Sequence, residues 1–159
     1  MNTVINQPNT KVSKVTKVVQ TPQNLSPREA MEQVARAFNA TLDNTPEPLL
    51  ALVVDDTVAV NISAHDGRLA AFCRIADVSQ MTTDAWVGML AEAANWGVDG
   101  EATRFTVLKP FVALMWSAPL TKSAAELLDE LGVAMSRAVA VARMVRRLQK
   151  PSDIAEKAR

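Results

Sequence analysis

Residues 58–75 read VAVNISAHDGRLAAFCRI, and their pattern decides the fold. Val58, Val60 and Ile62 alternate with Ala59, Asn61 and Ser63, the period of a strand with one apolar face. Asp66-Gly67 follows, a pair that tolerates positive φ and so closes a tight hairpin. Leu69, Ala71, Cys73 and Ile75 then line one face of a returning strand. Upstream, Leu49 to Val54 is a continuous apolar run between Pro48 and Asp55-Asp56, which predicts a strand covered on both faces. The three segments form an antiparallel meander.

Further upstream, Ser26-Pro27-Arg28-Glu29 is a capping box with proline at the first helical position, and it opens a helix. Met31, Val34, Phe38 and Leu42 make its apolar stripe, and Asn44, Pro46 and Pro48 end it. Downstream, Thr82 or Thr83 caps a second helix that runs to about Asn95. Trp86, Val87, Met89, Leu90, Ala91, Ala93 and Ala94 wrap nearly its whole circumference, so it needs cover on two sides. A small sheet covers one side; a second subunit is the natural cover for the other, with Gly88 and Ala91 permitting close approach. Gly97 and Gly100 break this helix. Thr103, Phe105 and Val107 begin a fourth strand, and Lys109-Pro110 turns the chain into a fifth, Phe111 to Trp116, apolar on both faces. Ser123 to Glu126 repeats the capping box and opens a third helix, closed by Lys150-Pro151. Its length, roughly 40 Å, exceeds a small sheet, so one end overhangs.

A chain of 159 residues with 48% hydrophobic and 21% charged residues suits one globular domain. We place that domain at residues 25–150, between a flexible tail at 1–24, where Pro8 and Pro22 interrupt a polar segment, and another at 151–159. Lys and Arg together equal Asp and Glu, which removes the positive field that drives nonspecific nucleic-acid binding. The balance conceals segregation. Lys11, Lys14 and Lys17 stand in a tail without acids, and Arg143, Arg146, Arg147 and Lys150 cluster near the end of the last helix. A single cysteine allows no internal disulfide and fits a reducing cytoplasm. The apolar runs are far short of a membrane span, and the N-terminal region lacks a secretory apolar core.

Catalytic chemistry finds little support. His65 is the sole histidine and belongs to a turn. Cys73 on an apolar strand face reads as core packing, and Asp55-Asp56 as turn chemistry rather than metal ligands. The scattered glycines form neither a Walker loop nor a dinucleotide fingerprint. No enzyme activity, cofactor or metal is expected. Arg143, Arg146 and Arg147 read as helix-end cations that offset the dipole, with a patch for nucleic acid or an acidic partner as the alternative.

The α+β order of helix, three strands, helix, two strands, helix, over Leu25 to Lys150, resembles the class I chaperones of type III secretion. The resemblance implies an antiparallel twisted sheet with packed helices in a cytoplasmic homodimer. Such a dimer holds secreted effector segments in extended form, keeps them competent for export, and is not inserted in a membrane. It also implies a dimer interface at the second helix and fourth strand, carried here by Trp86, Val87, Leu90, Ala94, Phe105 and Val107. By the same resemblance, effector binding is expected between the first helix and the sheet, at Met31, Val34, Phe38, Val58, Val60 and Ile62. Whether one effector or many bind, and whether the basic helix end meets a secretion ATPase, the resemblance leaves open. A small dimeric scaffold that docks folded partners is the alternative function. Nucleic-acid binding through the tail lysines and the arginine cluster is a third.

Overall fold

The computed structural model describes residues 24–96 and 103–149. The tails expected at 1–24 and 151–159, Asn24 apart, lie outside these residues, as do Gly97, Gly100 and Lys150-Pro151. Helix α1 spans Pro27–Ala37; strands β1, β2 and β3 span Leu50–Val54, Val58–His65 and Arg68–Asp77. Helix α2 spans Thr83–Ala94, β4 Thr103–Leu108, β5 Phe111–Pro119 and α3 Ala124–Leu148. The five strands form one antiparallel sheet in the order β1-β2-β3-β5-β4, and the element sequence is the expected one.

Local chemistry sets the ends of these elements. Both expected capping boxes are present: the Ser26 and Ser123 hydroxyls accept from the Glu29 and Glu126 amides, and each glutamate accepts from the serine amide in return. Thr82, not Thr83, caps α2. The β2–β3 hairpin turns at Asp66 and Gly67 with φ of 51° and 71°, and the β1–β2 turn at Asp55 and Asp56 with φ of 51° and 50°. Helix α1 ends earlier than its apolar stripe predicts. Asn39 takes φ 53°, its amide donates to Arg36 O, and the Ala40 amide donates to Ala35 O at 2.8 Å. That is a Schellman ending with asparagine in the left-handed position, so Phe38 and Leu42 pack against the core from outside the helix.

The sheet has one covered face. Val58, Val60 and Ile62 of β2, Leu69, Ala71 and Cys73 of β3, and Val112, Leu114 and Trp116 of β5 are all buried there. Helices α1 and α3 lie over them, contributing Met31, Val34, Leu127, Leu131, Ala138 and Val141 to the same core. Strand β1 departs from the expectation of two covered faces. Leu50 pairs with Ile62 on the covered face and is buried, whereas Val53 pairs with Ala59 on the uncovered face and is 68% exposed; the strand is also the edge of the sheet.

Helix α3 is 25 residues long, about 37 Å. Its C-terminal end is held by other elements. Thr82 Oγ1 donates to Leu148 O at 2.5 Å, and Gly88 of α2 sits against the side chains of Met144 and Leu148. Helix α2 is therefore covered on its Ala85, Gly88 and Met89 side chiefly by α3, where sequence alone assigned that role to the sheet.

Candidate interaction surfaces

The six residues expected at a dimer interface all reach the surface to some degree. Val87 and Leu90 of α2 are 62% and 61% exposed, Ala94 is exposed, and Trp86 is half-buried. In β4, register with β5 puts Thr103, Phe105 and Val107 on the helix-bearing face. Cover falls away along that strand: Thr103 is buried, Phe105 half-buried and Val107 46% exposed. The two elements meet at Trp96, whose ring lies 5.5 Å from that of Phe105. The Arg137 guanidinium of α3 also sits over Trp96, 5.2 Å from the ring centroid. Leu108, 51% exposed, belongs to the same edge strand and was not anticipated.

The six residues expected to bind effectors are placed differently. Met31, Val34, Val58, Val60 and Ile62 are at most 1% exposed, closed into the core between α1 and the sheet. Only Phe38 is half-buried. The structure thus brings the six together, but as the packing that joins α1 to β2. An amphipathic stripe looks the same in sequence whether it faces its own sheet or a guest chain. What is open nearby is the free edge of β1, flanked by exposed Leu49 and Val53. An edge strand carries unpaired amides and carbonyls able to accept another strand.

A groove of about 540 Å³ runs along the solvent side of α3, lined by Leu128, Asp129, Val133, Ser136 and Arg137 with Glu92 of α2. The arginine cluster has a local use. Arg143 pairs with Asp55 at 3.6 Å, and Arg146 donates to Thr57 O at 3.1 Å, so both grip the β1–β2 turn, while Arg147 is exposed. The Cys73 thiol is buried, and burial pushes its pKa from 9.0 up to about 12, which leaves no thiolate for chemistry near neutrality. His65 is exposed at the hairpin end. Among the described residues no three of His, Cys, Asp and Glu gather as metal ligands, and no helix is long and apolar enough to cross a membrane.

Similar folds recur in solved structures. A Yersinia pestis type III secretion chaperone, SycH, bound to a fragment of YscM2, superposes with a TM-score of 0.53 at 15% identity, covering 73% of this chain and 99% of that one. The fold is that of the type III secretion chaperones. A chain of the heterodimeric ExoU–SpcU complex from the Pseudomonas aeruginosa type III secretion system gives a TM-score of 0.57 at 11% identity, covering 76% and 98%. YbjN from E. coli, assigned to transcription regulation only provisionally, shares the fold at 0.54 and 9% identity, covering 82% and 100%. No family model matches the sequence, and no curated protein does.

Proposed function

We propose that this chain is a type III secretion chaperone: a cytoplasmic homodimer that holds secreted effector segments in extended form and keeps them fit for export. The observation that carries this reading is the pair of open apolar edges at opposite ends of one sheet, in a fold shared with SycH. Each edge has its own task. At one end β4 and α2 offer Val87, Leu90, Val107 and Leu108 to a second copy. Burying a side chain of this size contributes about 1.5–3 kcal/mol, and a two-fold dimer buries each twice. At the other end β1 offers backbone hydrogen bonds and the apolar side chains Leu49 and Val53 to an extended cargo segment.

The test is binding of fluorescently labelled, unfolded N-terminal effector segments, scored against folded proteins of equal size, with light scattering on the same samples. Capture of the unfolded segments by a dimer supports the proposal. A stable monomer at micromolar concentration, or preference for folded partners, removes it. Preference for folded partners is the outcome that a dimeric scaffold would give, a second reading favoured by the presence of the fold in YbjN.

A further inference from the structure

The outer face of the sheet, opposite α1 and α3, has a marked charge composition. Register places Arg68 and Arg74 of β3 and Arg104 of β4 on it, and all three are exposed. They are the only arginines or lysines in the five strands, and all point the same way. The strands contain one carboxylate, Asp77 at the end of β3, tied down by the Ser79 amide and hydroxyl. Between the arginines lies an apolar floor. Half-buried Phe72 pairs with half-buried Met115, which pairs with Arg104, and Ala70 lies beside them; Ala113, opposite Arg74, is covered by its neighbours. Arg68 is steered by two contacts to Ser117 Oγ, at 3.0 and 3.3 Å, and Arg74 lies flat on Phe111, 3.3 Å from its centroid. Among the described residues none of the three forms an ion pair.

We infer that this face is a docking surface for a foreign polypeptide segment in which carboxylates alternate with apolar side chains. Charge selects the occupant. The chain's own residues 1–23 carry three lysines and no acid, so they would meet the arginines with like charge. A second copy placed across a two-fold axis would set the same arginines against each other. A single-stranded nucleic acid would need a row of open aromatic rings for successive bases to stack on; Arg74 covers Phe111, which leaves half-buried Phe72 as the one other ring the strands place on this face. Arg68 and Arg74 are six residues apart on one strand, about 20 Å, and Arg104 is two strands, about 10 Å, from the Phe72 row. A matching segment places carboxylates at those separations and apolar residues on Phe72 and Met115. Arg68, Arg74 and Phe72 stand on β3, away from the α2–β4 and β1 edges, while Arg104 borders the β4 edge; the inference stands apart from the chaperone reading.

The test uses the full chain and two fluorescein-labelled 15-residue peptides, one alternating Glu with Leu and Val, the other with Lys in place of Glu. The acidic peptide is expected to bind, with affinity at least tenfold weaker for an Arg68→Glu/Arg74→Glu variant, both changes lying on β3, and falling with salt, and the basic peptide to bind at least tenfold more weakly. Equal affinity for the two peptides, an unchanged affinity in the variant, or tighter binding of a single-stranded oligonucleotide than of the acidic peptide would overturn it. Oligomeric state, measured on the same variant, is expected to be that of the wild type, which separates this outcome from failure of the proposed dimer.

Discussion

A methyl group added at Gly88 would sit 3.2 Å from the Met144 sulfur and 3.3 Å from Leu148 Cδ1, so the side chains of α3 pack tightly against α2 at this point. The neighbours are ends of flexible side chains and can give by a few tenths of an ångström. Gly88→Ala therefore sets a tight contact against a helix-propensity gain of about 1 kcal/mol and should leave stability nearly unchanged. Gly88→Val adds branched bulk at the same point and should cost about 1–3 kcal/mol. Urea unfolding of both variants checks the pair; equal effects would mean that the helices do not pack at Gly88.

Leu90 is largely exposed, so its replacement should not disturb the monomer's own packing. Leu90→Glu, with Val87→Glu as a second variant, is expected to shift the proposed dimer to monomer in light scattering while circular dichroism stays the same. An unchanged mass for both variants would remove α2 from the interface.

Cys73 links stability to alkaline pH. The folded thiol, held up at about 12, stays neutral while the unfolded one ionises near 9. Its contribution is thus complete below pH 9 and is lost as pH rises from 9 towards 12, at about 1.4 kcal/mol per pH unit. Cys73→Ala should flatten the decline of unfolding free energy between pH 9 and 10.5. In the native wild type a thiol reagent should label Cys73 only at the rate of unfolding; rapid labelling at pH 8 would contradict its burial.

Asp56 holds a left-handed φ of 50° in the β1–β2 turn, and its neighbour Asp55 has the ion pair with Arg143. Asp56→Gly should be neutral or slightly stabilising, whereas Asp56→Val, a branched residue in that region, should cost about 1–2 kcal/mol. Thermal unfolding distinguishes the two; a benign valine would mean that the turn adopts another conformation in solution.

Much of this fold is written in short stretches. Ser26 and Ser123 each sit three residues before a glutamate, and the two aspartate-containing turns separate a continuous apolar run from two strands whose apolar residues alternate. Each feature depends on neighbours within about four positions, and the structure has all of them. Asn39 was also a local signal, since asparagine tolerates the left-handed position that ends a helix, but the apolar stripe running on to Leu42 obscured it.

Sequence alone thus determined the elements, their order, and the inward faces of β2 and β3, because backbone sterics, caps and side-chain periodicity act locally. Tertiary structure decided which apolar surfaces remain open. Val58, Val60 and Ile62 are closed by α1, β1 is an edge with Val53 exposed, and α2 leans on α3 through Gly88, leaving Val87 and Leu90 bare. It also gathered Arg68, Arg74 and Arg104, 36 residues apart at the extremes, onto one uncovered face. The physical reason is common to all of these. Hydrophobic burial has no direction along the chain, and whether an apolar residue meets its own helix, a partner or water depends on strand order and layering, which are set by contacts between distant residues.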